Sequence, residues 1–110
     1  MDASQYSQLV QQILTKYARL INPKNTPNQT LIFDTQNDHC VFLANERHDD
    51  KRRYGITLHI DIIDGKIWIQ RDGTEEGIID DSMEAGVPKE HIVLGYRSPF
   101  VRQHTEFAMS

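Results

Sequence analysis

Residues 59–78 read HIDIIDGKIWIQRDGTEEGI, two alternating apolar runs joined by Asp64-Gly65 and followed by an acidic helix start. An Asp-Gly pair between β-branched runs marks a two-residue type I′ hairpin loop, because that loop needs positive φ at both central residues. The loop sets a register in which Ile63 faces Lys66, Ile62 faces Ile67, Asp61 faces Trp68, Ile60 faces Ile69, His59 faces Gln70 and Leu58 faces Arg71. Side chains alternate along a strand, so Ile56, Leu58, Ile60, Ile62, Ile67 and Ile69 share one side, a core face by composition. Thr57, His59, Asp61, Trp68, Gln70 and Asp72 share the other, a polar face carrying the only Trp of the chain.

A six-aliphatic face needs a cover, since an isolated hairpin cannot offset the entropy of ordering its backbone. The N-terminal segment supplies it. Tyr6, Leu9, Val10, Ile13, Leu14, Tyr17, Ala18 and Ile21 follow three-and-four spacing, which predicts an amphipathic helix over 4–21, started by Asp2 or Ser4 and ended at Asn22-Pro23. Leu31–Asp34 and His39–Ala44 read as a second hairpin around Thr35-Gln36-Asn37-Asp38, and the charged stretch Glu46–Arg53 as a loop leading to the third strand. Beyond Gly73, Thr74 is placed to cap a second helix reaching about Ala85, with Glu75 and Glu76 in its first turn, Gly86 past its end and Pro88 preventing continuation. Ile92–Leu94 is extended, and Ser98-Pro99 has the chemistry of a short final helix start. The expected fold is α+β: an antiparallel sheet of at least four strands, made of two hairpins, packed by an N-terminal helix, with a second helix and a short C-terminal segment.

A chain of 110 residues, 38% hydrophobic and 25% charged, makes a single domain over residues 1–110 with one modest core. Its one cysteine, Cys40, sits in an apolar run and reads as a small buried hydrophobe. The start MDASQYSQ has neither the basic residues nor the apolar stretch of a signal peptide, and no segment is long and apolar enough for a membrane span, so a cytoplasmic location is expected. A formal net charge of −4 argues against a protein whose main work is neutralising phosphates.

Three constellations bear on chemistry. Asp64-Gly65-Lys66 with Asp61 or Asp34 upstream resembles the carboxylate and carboxylate-x-Lys pattern of metal-dependent nucleases, but the pair straddles a turn, where it cannot share one face with the first carboxylate. His59, Asp61 and Asp72, with Gln70, outline an acid-base or metal site on the polar face; the other histidines, 39, 48, 91 and 104, fall on separate segments, so neither a metal nor a cofactor is expected. Arg47, His48, Lys51, Arg52 and Arg53 form the only basic cluster, interrupted by Asp49 and Asp50, which disfavours direct nucleic-acid binding. Protein contacts offer a better fit: Trp68 has the character of an interface anchor, the alternative being cover by the second helix or the C-terminal tail, and Asp72, Glu75, Glu76, Asp80, Asp81 and Glu84 form an almost unopposed acidic run suited to a basic partner. The same polar face makes a homo-oligomer an expectation as well.

HIDIIDGKIWIQRDGTEEGI, together with EAGVPKEHIVLGY from Glu84 and SPFVRQHTEFA from Ser98, resembles the XisI family of excision-controlling factors, densely from Tyr54 onward. The resemblance implies a small α+β protein without a catalytic motif of its own. It further implies an accessory role in programmed excision of a DNA element, exercised through a nuclease-like partner, XisH, and the excision machinery.

Overall fold

The computed structural model describes residues 2–24 and 26–110, His48 by its backbone alone. Helix α1 (Ala3–Ile21) leads into strands β1 (Gln29–Asp34), β2 (His39–His48), β3 (Lys51–Ile63) and β4 (Lys66–Asp72). Helix α2 (Gly77–Glu84), a single 3-10 turn at Lys89–His91, strand β5 (Ile92–Leu94) and helix α3 (Pro99–Arg102) complete the chain. The sheet runs in the order β1-β2-β3-β4-β5, antiparallel except for the last pair, which is parallel.

Helix α1 is capped by Asp2, whose carboxylate accepts from the Gln5 N–H at 2.9 Å while the Gln5 side chain accepts from the Asp2 N–H, a reciprocal box that satisfies two otherwise free donors. Its buried stripe of Tyr6, Val10, Ile13 and Leu14 lies on the inner face of the sheet against Cys40, Phe42, Leu58, Ile60, Ile62, Ile67 and Ile69, with Ile78 and Ile79 of α2 beside them. Ile21, counted on the apolar stripe, is the last residue of the helix and is 46% exposed. Cys40 is buried as expected, and desolvation pushes its thiol up to about 11.

The Asp64-Gly65 loop has φ of 51° and 75°, and pairing follows the expected register from Ile63–Lys66 through Ile60–Ile69. Beyond that point a bulge leaves Gln70 unpaired, so His59 faces Arg71 and Leu58 faces Asp72 instead of Gln70 and Arg71. One extra residue reverses the faces that follow it. Asp72 therefore leaves the polar face for the helical side, where it accepts from Thr74 N–H at 2.8 Å and Glu76 N–H at 3.0 Å. A second bulge, on β3 against β2, pairs Leu43 with Ile56 and turns Ile56 outward; it is 38% exposed rather than core.

Two other expectations are corrected. Glu46–Arg53 is not a loop: β2 and β3 continue as a ribbon closed at Asp49-Asp50, with Arg47 opposite Arg52 and the Arg52 guanidinium 4.6 Å from the Tyr54 ring centre. Across the ribbon Arg53 stands 3.8 Å from Glu46, its direct partner, and Arg52 donates to the Asn45 side chain at 3.2 Å, cross-strand contacts that offset the like-charged Arg47–Arg52 pair. The second helix begins at Gly77 rather than directly after Thr74, because Glu75 and Glu76, expected in its first turn, adopt left-handed φ of 54° and 76°. Thr74 still contributes at the start, its hydroxyl accepting from Ile78 N–H at 3.0 Å. Gly86 (φ 101°) closes the helix and Ser98 caps α3, both as expected. Among the described residues no helix is long and apolar enough to cross a membrane.

Candidate functional site

The outer face of the sheet gathers a polar cluster that the hairpin reading only partly foresaw. Pairing of β2 with β3 places His39 directly opposite Asp61, and His59 lies two residues before Asp61 on the same face. Asp61 Oδ1 sits 2.7 Å from His39 Nδ1 and 2.9 Å from His59 Nε2, while Oδ2 accepts from the Gln70 amide at 3.3 Å. A carboxylate only accepts, so both ring nitrogens are assigned a proton. Asp61 is 6% exposed. A charge so placed would be costly alone, and the three donors around it offset its desolvation. Asp61 in turn holds His39 above its ordinary imidazole value, first through the hydrogen bond and then through its charge.

His39 is the residue that sequence reasoning missed. It lies on a separate segment of the sequence, 22 residues before Asp61, and only the β2–β3 register brings the two together. The bulge has the opposite effect on Asp72, which leaves this face, so the triad His59/Asp61/Asp72 does not form. In its place stand His39, His59, Asp61 and Gln70. Nor do Asp64 and Lys66 join them: Asp64 occupies the hairpin loop, and the Lys66 ammonium donates to the Ser110 carbonyl.

Trp68 pairs with Asp61 and lies half-buried on the same face. The chain beyond Ser98 folds back here, with the Arg102 guanidinium 5.4 Å from the indole centre and Ala108 bridged to Val93, the β5 partner of Trp68. A cation over the aromatic face anchors the C-terminal segment.

The acidic run divides by role. Asp72 caps the turn before α2. Asp81 approaches Lys16 of α1 at 3.5 Å and, after burial itself, is the largest cause of a Tyr17 hydroxyl pushed up to about 12. Glu75, Glu76, Asp80 and Glu84 are exposed and form the acidic surface proper.

A family profile described as XisI protein matches residues 1–109. The chain belongs to the XisI family. Its fold is shared by two solved structures from Anabaena variabilis ATCC 29413. One is the fdxN element excision controlling factor XisI, 36% identical over 98% of both chains with a TM-score of 0.87. The other is a XisI-like protein, 33% identical, covering 98% of this chain and 99% of its own, with a TM-score of 0.88. No curated protein matches the sequence. The shared fold accounts for the strings around Asp64-Gly65, Glu84–Tyr96 and Ser98–Ala108: they form the central hairpin, the second helix with β5, and the segment that closes over Trp68.

Proposed function

We propose that this XisI-family chain is an accessory factor controlling excision of a DNA element, and that it acts through contacts with a nuclease-like XisH partner rather than through catalysis. The observation that carries the proposal is its 36% identity, over 98% of both chains, to the fdxN element excision controlling factor. Its own surface is consistent with the protein-mediated part. Glu75, Glu76, Asp80 and Glu84 are exposed around the start and outer side of α2, a field that repels phosphate and accelerates encounter with a basic protein. The cluster at Asp61 satisfies its own hydrogen bonds and has no serine, cysteine or lysine among its partners to act as a nucleophile.

Binding kinetics with the purified nuclease-like partner test this reading. Glu76→Lys, Asp80→Lys and Glu84→Lys together should slow association several-fold and weaken its salt dependence, leaving dissociation nearly unchanged, as exposed charges at an interface rim do. Asp81 is left intact because Lys16 and Tyr17 depend on it. Binding that is unchanged by the reversal, in protein shown to be folded, removes the acidic surface from the interface.

A second reading draws on the β2–β3 ribbon, which projects Arg47, Lys51, Arg52 and Arg53 from the sheet. A two-stranded ribbon fits a DNA groove. Steeply salt-dependent binding to duplex DNA without any partner, lost on Arg47→Ala and Lys51→Ala, would favour it.

A further inference from the structure

The cluster at the outer end of β2 and β3 has a geometry that goes beyond charge compensation. His39, His59 and Asp61 each offer one ligand atom, and these atoms all lie within 4.8 Å of one another. We propose that His39 Nδ1, His59 Nε2 and Asp61 Oδ1 form a binding site for a divalent transition-metal ion of the zinc or cobalt type, open to water on the side of His39.

Both imidazoles converge on one carboxylate oxygen, at 2.7 and 2.9 Å, although Asp61 has two. The second oxygen is held by the Gln70 amide at 3.3 Å. A carboxylate with one oxygen turned toward two imidazoles and the other fastened by an outer donor is the arrangement by which proteins orient a metal-binding carboxylate. Around an ion with bonds of about 2.0–2.2 Å, tetrahedral ligand atoms stand roughly 3.3–3.5 Å apart. An ion can therefore enter if the two contacts to Oδ1 each open by about half an ångström, within reach of small side-chain rotations. Ligation through these nitrogens requires each imidazole to carry its proton on the far ring nitrogen.

The backbone sets these ligands before an ion arrives. His39 and Asp61 are direct partners across β2 and β3, and His59 and Asp61 share one strand and one face. The His39 side chain is 51% exposed, which gives an entry path, whereas the Asp61 side chain is 9% exposed, which gives the ion a partly dry wall. Two nitrogens and one carboxylate oxygen favour zinc, cobalt, nickel or ferrous iron over magnesium or calcium, which prefer all-oxygen shells. Three protein ligands leave coordination positions free for water or for a donor from another molecule.

The test is direct titration of chelator-stripped full-length protein with Co²⁺ followed by absorption, and with Zn²⁺ followed by calorimetry. The expected result is one ion per chain, with the visible Co²⁺ bands of a nitrogen-oxygen site, and a preference of at least about 100-fold over Mg²⁺. His39→Ala should weaken binding at least about tenfold, and Gln70→Ala by roughly 10-fold through loss of its hold on Asp61. His39 is half-exposed, so its variant keeps the fold and the test does not depend on a buried substitution. His104→Ala, a histidine that packs edge-on against Phe100 and is not one of the three ligand residues, should bind as the parent does. Absence of stoichiometric binding, or binding that survives both His39→Ala and Asp61→Asn, would overturn the proposal and leave a purely hydrogen-bonded cluster.

Discussion

Replacing Gly73 by alanine tests the bulge that carries Asp72 to the helical side of the sheet. The Gly73 N–H donates to the Thr57 carbonyl at 2.8 Å. A methyl group on Gly73 would stand 2.7 Å from both that oxygen and Thr57 Cγ2, where Cβ contacts under 3.0 Å are essentially never tolerated. The strands must part by about 0.3 Å, and because one obstacle is backbone, no side-chain rotation removes it. Overpacking of this kind costs about 1–3 kcal/mol, and weakening the hydrogen bond adds about 0.5–1.5 kcal/mol. An expected loss of about 2 kcal/mol, against an unfolding entropy of about 0.23 kcal/mol/K for a chain this size, lowers Tm by roughly 9 °C. Gly55→Ala is the matched control, since nothing lies within 4 Å of its added Cβ, and it should stay within about 0.5 kcal/mol of the parent. Thermal unfolding followed by circular dichroism and calorimetry measures both. Equal melting of the two variants would refute the bulged register, and with it the placement of Asp72 and of the acidic turn that follows.

Gly65→Val should cost about 1–2 kcal/mol by strain alone, because its φ is 75° and no atom lies within 4 Å, whereas Lys66→Ala should leave the melt almost unchanged; a valine variant that melts with the parent would contradict the type I′ loop. Ile60→Ala should lose about 2–5 kcal/mol while Ile56→Ala loses under about 1 kcal/mol, since the first is fully buried and the second turned out by the bulge, and comparable losses in denaturant titrations would return Ile56 to the core. Tyr17 has a folded-state value pushed up to about 12 from the ordinary 10.0, so its contribution is complete below pH 10 and is lost as pH rises through 12. Tyr17→Phe should therefore melt with a shallower pH dependence between 10 and 12, and parallel curves for the two proteins would contradict the buried, Asp81-facing hydroxyl.

The hairpin from Thr57 to Asp72 was legible because an Asp-Gly loop imposes its own φ values and two aliphatic rows impose the inner face. Legibility stopped where a bulge intervened. Nothing in Gln70 or Thr57 signals that either will be left out of a ladder, because a bulge is decided by how two twisted strands meet their neighbours. Hence Asp72 and Ile56 were assigned to the wrong faces and His39 to no site at all. Helix α1 was readable from its period, and its start to within the choice of Asp2 or Ser4; the reciprocal bond from Gln5 that decides for Asp2 came with the structure. The start of α2 was not, since Glu75 and Glu76 take a left-handed turn that acidic residues rarely prefer and that Asp72 and Thr74 support with hydrogen bonds. Trp68 announced itself as an amphipathic anchor to be covered by a partner, the second helix or the C-terminal tail; that Arg102 of the tail meets it depended on a long-range contact with no local signature.

The accessory role itself is tested most directly by counting excision junctions. A DNA element, its recombinase and the nuclease-like partner are combined with and without this chain, and the rejoined junction is quantified by amplification. The account predicts that the chain alters junction yield only when the partner is present, and that the folded Glu76→Lys, Asp80→Lys, Glu84→Lys variant loses the effect. Junction yield that is indifferent to the chain, or an effect that persists in full without the partner, would contradict it.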